Sequence, residues 1–128
     1  MALARMKKIL VVDDDPLFRY LLERASLNKP FEVVTCGSLK ELETVGRPQD
    51  FDVIILDYFL DPFTESFLGT RVAELAGSTP CLLVSSNDRC LEQNVPWPSS
   101  IRKFVSKHVG ARSVLENALA LTLDRSAS

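Results

Sequence analysis

Phe51-Asp52-Val53-Ile54-Ile55-Leu56-Asp57 is the stretch from which the rest of the chain is read. Val53, Ile54, Ile55 and Leu56 run without a polar break and stop on a carboxylate. A β-branched run without alternation reads as a strand buried on both faces. In a parallel α/β sheet, ligands sit beyond the carboxyl ends of the strands. Asp57 is therefore either a residue that turns a strand into a loop or a reactive carboxylate at the mouth of a site. The other strand ends decide between them.

Upstream, Lys8-Ile9-Leu10-Val11-Val12 reads as a buried strand running into Asp13-Asp14-Asp15-Pro16. Asp15 followed by Pro16 predicts a helix start, with the aspartate as N-cap and the proline at the first helical position. Leu17, Phe18, Leu21, Leu22 and Ala25 then recur at helical spacing, with Arg19, Glu23 and Arg24 opposite, until Asn28-Lys29-Pro30 stops the helix. Phe31 to Cys36 is a second strand. Ser38 and Glu41 have capping-box spacing, so a short helix over 39–45 is expected.

Downstream of Asp57, Pro62 and spaced aromatic residues predict a long loop, then a helix over 68–76. Pro80 opens a fourth strand, Cys81 to Ser85. A short helix over 87–93, an extended Val95-Pro96-Trp97-Pro98 linker, a fifth strand at Lys103–Val105 and an amphipathic helix over 111–123 complete the pattern. Strict alternation of strand and helix predicts repeated βα units, an α/β fold with a parallel five-stranded sheet. Right-handed crossovers then put helices on both faces and all strand ends at one edge. The division expected is an extension over 1–7, one domain over 8–124 and a tail over 125–128.

The 128 residues suit one domain, and 46% hydrophobic content is enough for a core. A net charge of −2 offers no electrostatic footprint for nucleic acid. The apolar runs are too short to span a membrane, and the basic start lacks an apolar segment behind it. Three cysteines without CxxC spacing argue against a disulfide framework. These features predict a cytoplasmic protein with protein or small-anion partners.

Taken together, the strand ends supply Asp13 and Asp14, Asp57, Ser85 and, just past the fifth strand, Lys107. Each has a bland alternative as a loop carboxylate, a helix cap or a solvated lysine. Together they make a site at the edge where such a site can assemble. Crowded carboxylates raise one another's pKa unless a cation joins them. Oxygen ligands select a hard ion, and availability favours Mg²⁺. A carboxylate nucleophile beside such an ion and an ammonium is equipped to accept a phosphoryl group.

The chain resembles the receiver domain of two-component response regulators. Val11-Val12-Asp13-Asp14-Asp15-Pro16, Asp52-Val53-Ile54-Ile55-Leu56-Asp57, Pro80-Cys81-Leu82-Leu83-Val84-Ser85 and Phe104-Val105-Ser106-Lys107 carry the likeness, as an ordered set over nearly the whole chain. The resemblance implies a flavodoxin-like fold with strand order 2-1-3-4-5. It implies Asp57 as phosphoacceptor, supplied by a sensor histidine kinase or a histidine phosphotransfer protein. Asp14, Asp57 and the backbone carbonyl of Phe59 would ligate Mg²⁺, with Asp13 acting through water. Lys107 and Ser85 would contact the phosphoryl group. Phe104 would turn inward with Ser85 and repack the face of the fourth helix, fifth strand and last helix, where a downstream protein would bind. No membrane or nucleic acid partner is implied.

The sequence departs from the family in four places. The loop after Asp57 is longer than usual. His108 stands where the family usually has a proline, often cis. A cis bond without proline costs ~3–4 kcal/mol, so a trans Lys107–His108 peptide is expected. Ser100-Ile101 replaces the usual Gly-Ala, and the fourth helix looks short. Two other readings compete. A degenerate receiver would serve as a constitutive interaction module. A haloacid-dehalogenase-type phosphatase would use Asp13 as nucleophile and Asp15 as general acid, leaving Asp57 idle.

Overall fold

A computed structural model describes residues 6–57, 73, 75–86 and 99–127. The elements are β1 (Lys7–Val12), α1 (Pro16–Ala25), β2 (Phe31–Cys36), α2 (Leu39–Val45), β3 (Val53–Asp57), β4 (Cys81–Ser85), β5 (Ile101–Ser106) and α3 (Ala111–Ala127). Single 3₁₀ turns cover Pro48–Asp50 and Lys107–Val109.

All five strands are parallel, in the order β2-β1-β3-β4-β5. This is the expected flavodoxin-like order. β3 lies at the centre, and all five of its residues are buried, as its unbroken apolar run requires. Side chains alternate between two cores. Leu10, Val12, Ile54, Leu56 and Leu83 pack on the face covered by Leu42 of α2 and by Ala73 and Ala76. Ile9, Val11, Ile55, Leu82 and Val84 pack on the other, against Phe18 and Leu22 of α1 and Val114, Leu115, Ala118 and Leu121 of α3. Each fully buried aliphatic side chain contributes about 1.5–3 kcal/mol relative to exposure.

The register between β1 and β3 is set at the strand starts. Asp52 N–H donates to Lys8 O at 2.9 Å, and Lys8 N–H donates to Asp52 Oδ2 at 2.8 Å. Ile9 then pairs with Val53 and Val12 with Leu56. The chain reaches both strand ends in step, which places the residues after Val12 beside Asp57.

Three expectations are corrected in extent. β5 spans Ile101–Ser106 rather than Lys103–Val105, because the register skips Arg102 between the Cys81–Ile101 and Leu82–Lys103 pairs. An irregular edge strand with exposed Arg102 and Lys103 shows only a short apolar run. In α1, Leu17 and Leu21 face outward, 63% and 44% exposed, while Phe18 and Leu22 face the core. α3 continues past Leu123 to Ala127, since residues 124–127 include neither glycine nor proline to end it. The helix expected over 68–76 falls largely outside the described residues. The loop after Asp57, the helix over 87–93, Cys90 and Trp97 fall outside them entirely. Among the described residues no helix is long and apolar enough to cross a membrane.

Candidate functional site

The three aspartates after β1 have three separate placements. Asp13 N–H donates to Cys36 O at 3.1 Å, which extends the β1–β2 pairing by one residue. Asp13 is thereby drawn inside and is fully buried, with Oδ1 accepting from Asp15 N–H at 2.9 Å. Asp15 caps α1, its Oδ1 accepting from Leu17 N–H at 3.0 Å, with Pro16 in the first turn. Asp14 between them is exposed.

Asp57 ends β3 and is 6% exposed. Carboxylate oxygens of Asp13, Asp14 and Asp57 lie within 4.8 Å of one another. Lys107 enters from the 3₁₀ turn after β5. Its Nζ is 2.7 Å from Asp13 Oδ2 and 3.6 Å from Asp57 Oδ1, and its side chain is 13% exposed. Ser85 ends β4 and is buried, paired in register with Ser106 of β5. Phe104 of β5 is half-buried against the core face that contains Leu83. The parallel sheet thus brings Asp13, Asp14, Asp57 and Lys107 together and sets Ser85 at the same edge. Phe59 lies outside the described residues.

Charge is unbalanced here, with three carboxylates facing one ammonium. Burial pushes the Asp13 carboxyl up, and the Lys107 ammonium and the Asp15 amide pull it back only in part. Burial opposes the Lys107 charge, but the pairing with Asp13 and the charges of Asp57 and Asp15 outweigh it, so the ammonium is held more firmly than in water. Asp13 Oδ2 is paired with the Lys107 ammonium at 2.7 Å inside the protein. Three clustered carboxylates facing one ammonium fit a hard divalent cation. Asp14 and Asp57 would hold it, with Asp13 behind them.

Two contacts escaped the sequence. Arg19 Nη1 donates to Asp13 O at 2.7 Å, fastening α1 to the turn before it, and its guanidinium lies close over Gly37 at the end of β2. The Phe18 ring centroid lies 4.6 Å from Lys107 Nζ. Helical spacing marks Phe18 as inward and Arg19 as outward, and gives neither a partner.

His108 forms part of the frame. Its backbone N–H donates to Ser106 Oγ at 3.2 Å, and its Nε2 is 3.0 Å from Ser86 O. The ring ties the turn after β5 to the end of β4. No peptide bond among the described residues is cis, so Lys107–His108 is trans. Asp15, the general acid of the phosphatase reading, caps α1 through Oδ1.

No family model matches the chain. A two-component response regulator of Oryza sativa subsp. indica is 33% identical over 87 residues, covering 64% of this chain and 12% of the relative. The chain therefore spans about an eighth of that protein's length. Among solved structures, a CheY-like response regulator receiver domain protein from Methanospirillum hungatei superposes with a TM-score of 0.72 at 18% identity, covering 96% of this chain and 98% of that one. The signal receiver domain of an HD domain-containing protein from Pseudomonas fluorescens Pf-5 gives 0.71 at 17% identity, covering 94% and 99%. The chemotaxis response regulator CheY4 of Vibrio cholerae gives 0.66 at 20% identity, covering 92% and 99%. At these identities the structural likeness is one of fold.

Proposed function

We propose that this chain, a response regulator receiver domain by its sequence match and its fold, accepts a phosphoryl group on Asp57 from a partner phosphohistidine and so switches a protein-binding surface. The observation that carries this reading is the meeting of Asp13, Asp14 and Asp57 within 4.8 Å, with the Lys107 ammonium against two of them.

An oxygen of Asp57 attacks phosphorus, the phosphorus–nitrogen bond breaks and the donor imidazole leaves with the electron pair. Asp57 is the nucleophile because it ends the central strand. Asp14, Asp57 and the backbone carbonyl of Phe59 would hold Mg²⁺, with Asp13 linked through water. The ion would neutralise charge building on the phosphoryl oxygens. Lys107 is poised 3.6 Å from Asp57 to pair with the same oxygens. The Ser85 hydroxyl would turn toward the phosphoryl group. Phe104 would follow it inward and repack the face of the fourth helix, β5 and α3 for a downstream protein. The domain proposed is 8–124, acting in the cytoplasm and turning over no external substrate beyond its own phosphoryl uptake and hydrolysis. The phosphoryl group carries about −1.5 to −2 of charge, and since the aspartate gives up its own −1 on forming the anhydride, the site gains about −0.5 to −1 and presents three new acceptor oxygens. That charge has to be answered by Lys107 and the metal.

Incubation with Mg²⁺ and acetyl phosphate, followed by mass measurement, tests this. One phosphoryl group that is acid-stable and base-labile is expected. Its uptake should need Mg²⁺ and fall sharply in Lys107→Ala. A chain that takes up none is an interaction module without the switch. Turnover of a phosphomonoester that depends on Asp13 would mark a phosphatase.

A further inference from the structure

We infer that Phe18 is a positioning residue, whose ring holds the Lys107 ammonium in the gap between Asp13 and Asp57 and thereby sets the rate of phosphoryl uptake. The second half of this inference rests on the phosphoacceptor reading above.

Phe18 is 6% exposed and packs with Leu22 of α1 against the sheet face that α3 also covers. A core role alone would account for its burial. It does not account for the placement of Lys107 Nζ 4.6 Å from the ring centroid. An ammonium has three N–H groups and no acceptor. Here it meets Asp13 Oδ2 at 2.7 Å, Asp57 Oδ1 at 3.6 Å and the ring. The ring face carries the negative lobe of the aromatic quadrupole and attracts a cation, most strongly where water is excluded. An acceptor oxygen in that place would fix the third N–H in direction. A ring attracts it without a preferred direction, so the ammonium stays desolvated yet free to pivot from Asp13 toward a new anion on Asp57. Phe18 is brought there by the capped start of α1, three residues beyond Asp15, so the helix that orders the aspartate turn also carries the ring.

The test keeps the ring's shape and drains its charge. Phe18 is replaced in the full chain by mono-, di- and trifluorinated phenylalanine, with Phe18→Leu as the ring-free variant and thermal unfolding as the check on folding. Two quantities are read. One is the order of the Lys107 ε-methylene by NMR relaxation in unphosphorylated, Mg²⁺-free protein. The other is the rate of phosphoryl uptake from acetyl phosphate at saturating Mg²⁺. Both are expected to fall stepwise with fluorination, the rate by about three- to tenfold across the series, and Phe18→Leu to fall at least as far. A purely structural Phe18 leaves both flat along the fluorinated series. Flat Lys107 order overturns the inference whatever the rate does. Graded order with a flat rate overturns its claim on phosphoryl uptake. Graded order in a chain that takes up no phosphoryl group upholds the hold on Lys107 and overturns the phosphoacceptor reading instead.

Discussion

Lys107 Nζ leans on Asp13 rather than on Asp57, at 2.7 Å against 3.6 Å. The lysine is thus paired with a carboxylate that is not the proposed nucleophile. Asp13 is fully buried, so removing its cation leaves a charge that the interior cannot solvate. Lys107→Met is expected to cost about 3 kcal/mol in urea unfolding at neutral pH without Mg²⁺. Combining it with Asp13→Asn should recover most of that loss, since both charges then go together. Mg²⁺ should stabilise Lys107→Met more than the unsubstituted chain, because the ion answers the same carboxylates.

Arg19 and Gly37 form a second coupled pair. A Cβ on Gly37 would stand 2.5 Å from Arg19 Nη1, the group that donates to Asp13 O. Gly37→Ala is expected to displace the guanidinium and cost about 1 kcal/mol, the worth of one such hydrogen bond. In an Arg19→Ala background the same change should cost nothing or stabilise, since alanine restricts the unfolded chain. A double-mutant cycle by chemical unfolding reads the coupling. Additive effects would remove Arg19 from the account of the Asp13 turn.

Two thiols buried among the described residues, Cys36 and Cys81, make a pH prediction. Burial pushes Cys36 up to about 11, with help from Glu41, and Cys81 up to about 12, each from 9.0. Between pH 9 and those values an unfolded thiol loses its proton while the folded one keeps it. The folded state then binds more protons, so stability falls as pH rises, by about 1.4 kcal/mol per pH unit for each thiol. Cys81→Ala should flatten the alkaline slope by that amount in unfolding measured from pH 9 to 11. At pH 8 neither Cys36 nor Cys81 should react with a thiol reagent until the chain unfolds.

His108 bonds through both its backbone and its ring, to Ser106 Oγ and Ser86 O. Proline, usual here in the resembled family, would remove both bonds. His108→Pro is therefore expected to lower stability by about 1–2 kcal/mol, read by thermal unfolding. His108→Ala keeps the amide donor and should lose less.

Much of the site was legible because it lies where buried runs stop. Val12, Leu56 and Val84 end apolar stretches that admit no other fold role, so Asp13, Asp57 and Ser85 follow at one edge once the strands are parallel. Ser38 likewise fixed the start of α2, with its side chain accepting from Glu41 N–H. The return bond differs from the expected box: Glu41 Oε2 accepts from Gly37 N–H, one residue further back. β5 was legible only in part, since a skipped Arg102 on an edge strand breaks the pattern from which strands are read. Phe18 and Arg19 were not legible as members of the site. Their partners lie across the fold, and helical periodicity gives a direction, not an address.

The central claim is that Asp57 takes the phosphoryl group. Borohydride reduces an aspartyl phosphate to homoserine, which marks the residue by mass. The chain should be incubated with acetyl phosphate and Mg²⁺, reduced, digested and sequenced by mass spectrometry. Homoserine at position 57 and nowhere else, absent without Mg²⁺ and in Asp57→Asn, is the result predicted. Homoserine at position 13 or 14, or an unmodified Asp57 in fully folded protein, would contradict the account.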